Sequence, residues 1–196
     1  MFSVSILNCR EVGVVFSRLL LAAACSKLYI IGKKKEDKLI VQTNTSEVVL
    51  CFQIDDKERQ IAHILDLQDG QKICDGLIFY AKGGERERVI GLAEMKSTNS
   101  REAVEQLKST KIHIEDVLRR ECGSHCHKLL SLVKWKACIY SYGVSDSDKK
   151  EQMKDLQRGG FDDVCYFDRV KYDAGPFLRG DLSGKKLADK LKGKRR

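Results

Sequence analysis

The chain has 196 residues, 42% of them hydrophobic, and a net charge of +8 at pH 7. That length and apolar content fit one folded domain with short extensions and exclude a disordered polyelectrolyte. The charge is uneven: from Gly184 onward seven basic residues stand against Asp189 alone, leaving the rest of the chain nearly balanced.

In chain order, the first expected element is a helix over residues 9–26. Residues 12–24 are apolar, and Leu21-Ala22-Ala23-Ala24-Cys25 looks superficially like a lipoprotein cleavage site. Arg18 interrupts that run, Glu11 precedes it, and no basic cluster opens the chain. The run is also too short to span a bilayer, so an amphipathic or buried helix is expected, with no membrane partner. Residues 28–31 and 38–44 read as a hairpin, and 47–54 as a strand rich in Val, Leu and Phe. Residues 56–67 suit either a short helix or a strand. Residues 72–80 and 88–96 are apolar on both alternating faces, as in strands covered on both sides. The polar, glycine-bearing stretch 82–87 supplies the turn between them.

A helix comes next. Asn99 can cap it, with Glu102 completing a capping box, and Ala103, Leu107, Ile114 and Leu118 form one apolar stripe. It is expected to end at Gly123. Then come a strand over 135–142, a polar helix over 148–158 stopped by Gly159-Gly160, and a strand over 163–167. Pro176, the sole proline, falls in a segment read as irregular. The expected organisation is an N-terminal helix (1–27), an α/β core with a central mixed sheet flanked by helices (28–170), and an irregular segment with a basic tail (171–196).

Eight cysteines are scattered through the chain, several in apolar runs. This usage matches buried free thiols in a reducing compartment, hence the cytoplasm, or the nucleus of a eukaryotic cell. Cys122, His125, Cys126 and His127 are a potential zinc knot, but ligands at 125, 126 and 127 are too adjacent to share one tetrahedral ion easily. Ordinary loop histidines after a helix are the better reading. His63 and His113 show no paired metal-ligand spacing, and no serine or cysteine nucleophile motif is recognisable.

The most informative constellation lies in the central hairpin. Folding about the midpoint of Gly84 and Glu85 puts Asp75 across from Glu94, with side chains roughly 5 Å apart. The two-residue period then sets Lys96 on the face of Glu94. Two carboxylates so close in an apolar sheet repel each other unless a cation lies between them. A divalent metal with oxygen ligands is the natural cation, and a neighbouring lysine is a ready partner for water or phosphate. The bland alternative is a surface hairpin with a salt bridge between Glu94 and Lys96.

An acidic residue on one strand, Glu94-Met95-Lys96 on the next, then a helix and another strand resembles the PD-(D/E)XK nuclease superfamily, over residues 71–167. The resemblance implies a restriction-endonuclease-like core and Mg2+-dependent phosphodiester hydrolysis, with Mn2+ able to substitute. It implies Asp75, Glu94 and the Met95 carbonyl as metal ligands, and Lys96 as the group that orients or helps deprotonate water. Gln106 matches a glutamine found at a similar place in many exonuclease-like branches. The chain departs from the pattern in having Cys74 where a proline often precedes the first Asp, and Thr110 where a tyrosine often follows the glutamine. The expected partner is nucleic acid, DNA rather than RNA, gripped by Lys185, Lys186, Lys190, Lys192, Lys194, Arg195 and Arg196. A solvated, frayed tail is the competing reading. A homodimer or an activating protein partner is left open, as is a non-catalytic binding or assembly subunit that keeps the fold.

Overall fold

A computed structural model of the chain describes residues 29–31, 38–55, 65–67, 71–95, 100–122, 130–140, 143–167 and 171–181. The helix expected over 9–26, most of 56–67, the histidines at 125 and 127, Lys96 and the basic tail lie outside these residues.

The apolar character of both faces of the central strands dictates a layered protein. Five strands form the main sheet: β3 (Glu47–Gln53), β4 (Gly76–Lys82), β5 (Arg88–Glu94), β6 (Val133–Tyr140) and β7 (Asp163–Phe167), adjacent in that order. β3, β4 and β5 run antiparallel, whereas β5, β6 and β7 run parallel, so the sheet is mixed as expected. Parallel neighbours need crossovers, and two helices supply them: α1 (Ser100–Cys122) between β5 and β6, and α2 (Asp146–Arg158) between β6 and β7. Ala103, Leu107, Ile114 and Leu118 of α1 and Leu156 of α2 are all buried against Ile90, Leu92, Ala137, Ile139 and Val164. Ser145 caps α2, accepting from the Asp148 N–H at 3.1 Å, so this helix starts two residues earlier than expected.

The opposite face is covered by a second sheet, β1 (Tyr29–Ile31), β2 (Lys38–Ile40) and β8 (Lys171–Asp173), and by the short helix α3 (Gly175–Arg179). Ile30, Leu39, Tyr172, Phe177 and Leu178 close there on Ile78, Tyr80, Val89, Ala93, Cys138 and Cys165. The expected hairpin of β1 and β2 is present, but its second strand ends at Ile40 rather than residue 44. The rear layer corrects a second expectation. Residues 171–181 are not irregular: β8 pairs in parallel with β2, and Pro176 sits in the first turn of α3, where its missing N–H leaves no helical bond unmade. Lys136 of β6, buried, holds α3 in place by donating to the carbonyls of Phe177 at 2.7 Å and Leu178 at 3.2 Å. Burial pushes its ammonium below the usual lysine value.

Cys51, Cys74, Cys138 and Cys165 are buried free thiols. Among the described residues no helix is long and apolar enough to cross a membrane.

Candidate active site

The hairpin of β4 and β5 has the register read from its turn. Gly76 pairs with Ala93, Leu77 with Leu92 and Ile78 with Gly91. Asp75 is the residue just before β4 and Glu94 the last of β5, so the same register sets them opposite one another. Both share the face of Leu77 and Leu92, which is the face that packs on α1.

Strand β4 begins at Gly76, not at residue 72, and the reason lies in α1. The Ile73 carbonyl accepts from Gln106 Nε2 at 2.9 Å, and the Cys74 N–H donates to Thr110 Oγ1 at 2.9 Å. Helix side chains therefore take backbone groups that a ladder partner would have taken. On the other side the Asp75 carbonyl accepts the Ile54 N–H at 2.9 Å. Asp75 is thus pinned between β3 and α1.

The two carboxylates are linked by reciprocal bonds to the backbone. The Met95 N–H donates to Asp75 Oδ2 at 2.6 Å, and the Asp75 N–H donates to Glu94 Oε2 at 3.2 Å. Glu94 is fully buried and Asp75 half-buried. Backbone dipoles aimed at both groups offset part of the repulsion that their closeness creates. The Cys74 thiol beside them is pushed up by burial first, then by the negative charges of Glu94 and Asp75. It is no nucleophile at neutral pH.

The donor set suits a hard divalent cation, because two carboxylates from adjacent strands offer oxygen and no soft ligand. A further sign of a polar guest is Gln106 Oε1, buried yet without a hydrogen-bond partner among the described residues. Its amide nitrogen is spent on Ile73, so the oxygen is left to accept from a water or ligand. Among the described residues no group of three or more His, Cys, Asp and Glu comes together, here or elsewhere, so Asp75 and Glu94 stand as a pair. Met95 is buried, its backbone N–H spent on Asp75.

Of the residues expected at the site, Asp75, Glu94, Met95 and Gln106 are brought together. Lys96 and the basic residues from Lys185 to Arg196 lie outside the described residues. His113, given no role from sequence, is tied down by Gln71 Nε2 at 3.3 Å and the Leu65 carbonyl at 3.1 Å. Sequence reasoning gave no part to the Thr110 hydroxyl. The only signal was its position, one helical turn after Gln106. No family model, curated protein or solved structure matches the chain.

Proposed function

We propose that this chain is a Mg2+-dependent nuclease of the PD-(D/E)XK type, with a restriction-endonuclease-like core, hydrolysing phosphodiester bonds in DNA inside the cell. The observation that carries the reading is the in-register pair Asp75 and Glu94 on one face of a mixed sheet, with Gln106, whose Oε1 is unsatisfied, bonded to the carbonyl of Ile73 two residues before Asp75. The sheet order also supports it, with three antiparallel strands, a crossover helix that contacts the site, and two further parallel strands.

When bound, the metal supplies a Lewis acid that activates water and offsets charge on the phosphate. Asp75 and Glu94, with the Met95 carbonyl, are the groups that hold it. The backbone bonds on the two carboxylates fix their positions before loading, which lowers the ordering cost of binding. Gln106 Oε1 accepts a hydrogen bond from a water at the site. Lys96 is assigned the role of orienting or helping to deprotonate the attacking water, since a positive charge in a water-poor site acts more strongly than in bulk. The basic tail adds positive charge for gripping phosphates.

A second reading draws on the same hydrogen bonds. Because both carboxylates serve the backbone, a non-catalytic nucleic-acid-binding subunit would also have a structural use for them. Purified full-length protein incubated with plasmid, single-stranded DNA and RNA, in Mg2+, Mn2+ or EDTA, separates the two. Metal-dependent cleavage that Glu94→Gln abolishes is expected, while Lys96→Ala slows turnover with little loss of metal affinity. Tight DNA binding with no cleavage of any substrate, alike in wild type and Glu94→Gln, overturns the nuclease in favour of the binding subunit.

A further inference from the structure

We propose that Thr110 is a positioning residue whose hydroxyl sets the Asp75 carboxylate for metal binding, an inference that rests on reading Asp75 as a ligand. Thr110 is fully buried on α1. A hydroxyl has one proton, and its two backbone partners fix where that proton goes. The Gln106 carbonyl, at 2.8 Å, can only accept, and the Cys74 N–H, at 2.9 Å, can only donate. Bonding back to the carbonyl four residues earlier is ordinary for a threonine inside a helix. Accepting a buried backbone N–H from a segment 36 positions away is not, and no other group among the described residues takes that donor.

The bond matters because Asp75 is the next residue after Cys74. The β4 ladder starts only at Gly76, so Cys74 has no ladder partner to fix its peptide plane. Gln106 holds the preceding carbonyl, of Ile73, and Thr110 holds the Cys74 N–H itself. One residue later Asp75 gives its N–H to Glu94, and its carboxylate accepts the Met95 N–H. Rotation at Cys74 would swing the Asp75 carboxylate away from Glu94, and the Thr110 hydroxyl opposes it together with Gln106, which holds the carbonyl of the same peptide unit, and the Ile54 N–H on the Asp75 carbonyl. Thr110 touches neither metal nor substrate, so its effect runs through Asp75.

Two variants of the full chain test this. Thr110→Val keeps the shape and branching but removes the hydroxyl, while Thr110→Ser keeps the hydroxyl and loses a methyl. Mn2+ affinity is measured by titration calorimetry or electron paramagnetic resonance, with turnover on plasmid at saturating Mn2+ and thermal unfolding in EDTA. Thr110→Val is expected to weaken Mn2+ binding about 10- to 100-fold, the usual effect of removing an outer group that orients a metal ligand. Thr110→Ser should stay within about threefold of wild type, because it keeps that orienting hydroxyl. A Thr110→Val protein that melts earlier but binds Mn2+ as tightly as wild type, at a temperature where both are folded, overturns the proposal and leaves a purely structural threonine. Wild-type protein that binds no Mn2+ overturns the ligand reading of Asp75 and Glu94, and this inference with it.

Discussion

Replacing Asp75 by Asn and by Ala separates the two jobs its carboxylate performs. Both substitutions remove a charge facing Glu94, but only Asn keeps an oxygen to accept the Met95 N–H, bonded at 2.6 Å in the wild type. A hydrogen bond to a charged acceptor contributes about 1.5–3 kcal/mol net, and leaving the N–H buried and unpaired costs about 1–3 kcal/mol. Against this, two carboxylates about 5 Å apart repel by about 3 kcal/mol at an effective dielectric constant of 20. Without metal, Asp75→Ala should therefore unfold near the wild type, its two effects nearly cancelling. Asp75→Asn should exceed Asp75→Ala by about 1–3 kcal/mol, because the charge change is common to both. With a urea slope of about 2 kcal/mol per molar, that difference moves the midpoint by about 1 M. Urea unfolding in EDTA, followed by circular dichroism, reads it directly. Repeating the curves in Mn2+ at about 100 times the dissociation constant should add about 2.7 kcal/mol to the wild type and little to either variant. Coincident midpoints for Asn and Ala in EDTA would refute the backbone clamp, and a wild type indifferent to Mn2+ would refute the ligand role.

Three further perturbations probe the surroundings. A Cβ at Gly76 would lie 2.7 Å from Ile30 Cγ2, so Gly76→Ala should destabilise by about 1–3 kcal/mol; combining it with Ile30→Ala should cost less than the two single changes added, in a urea double-mutant cycle. Glu47 is pushed up by burial, but bonds from the Asn44 N–H, Tyr80 and Arg179 outweigh that and hold its carboxyl below the ordinary value of 4.5. Its contribution is therefore complete above pH 4.5 and lost as pH falls through the lower folded value, and Glu47→Gln should flatten this acid limb of the urea midpoint. Deleting residues 185–196 should weaken DNA binding and flatten its salt dependence by about 0.9 in the log–log slope for each phosphate no longer neutralised, while cleavage at saturating DNA persists; an unchanged slope would make the tail a solvated end.

The hairpin was legible because its determinants are local. A polar turn with Gly84 at φ 81° fixes the register, and residues apolar on both faces announce a strand buried on both sides. Asp75 and Glu94 follow from that register alone. The details around them depend on tertiary docking that no periodicity encodes. Residues 72–75 have the pattern of a strand, yet α1 claims the backbone groups of Ile73 and Cys74. Thr110 reads as one more polar residue in a helix until the segment it meets is in place. The rear layer was hidden for a similar reason. β8 is three residues long and exists only because β2, far back in the chain, lies beside it. A proline at the start of a five-residue helix carries the same signal as one in a loop.

The hydrogen bonds of the two layers differ in how much chain they span. Cys74 and Thr110, the most distant pair holding the carboxylate cluster, are 36 positions apart, whereas the rear layer, besides the Lys136 bonds to α3 across 41 and 42 positions, depends on bonds joining Gln42 to Asp173 and Glu47 to Arg179, across 131 and 132 positions. Closing a longer loop costs more entropy, so the hairpin with its helix can assemble early while the rear sheet docks late and opens first. Native-state hydrogen exchange should show the Gln42 and Ala174 amides released by smaller openings than the Met95 amide, and equal protection would contradict this order. Opening at the rear uncovers Ile78, Tyr80, Val89 and Cys138 while Asp75 and Glu94 still face each other. On heating, the protein then becomes sticky before the carboxylate pair comes apart, and aggregation sets its lifetime.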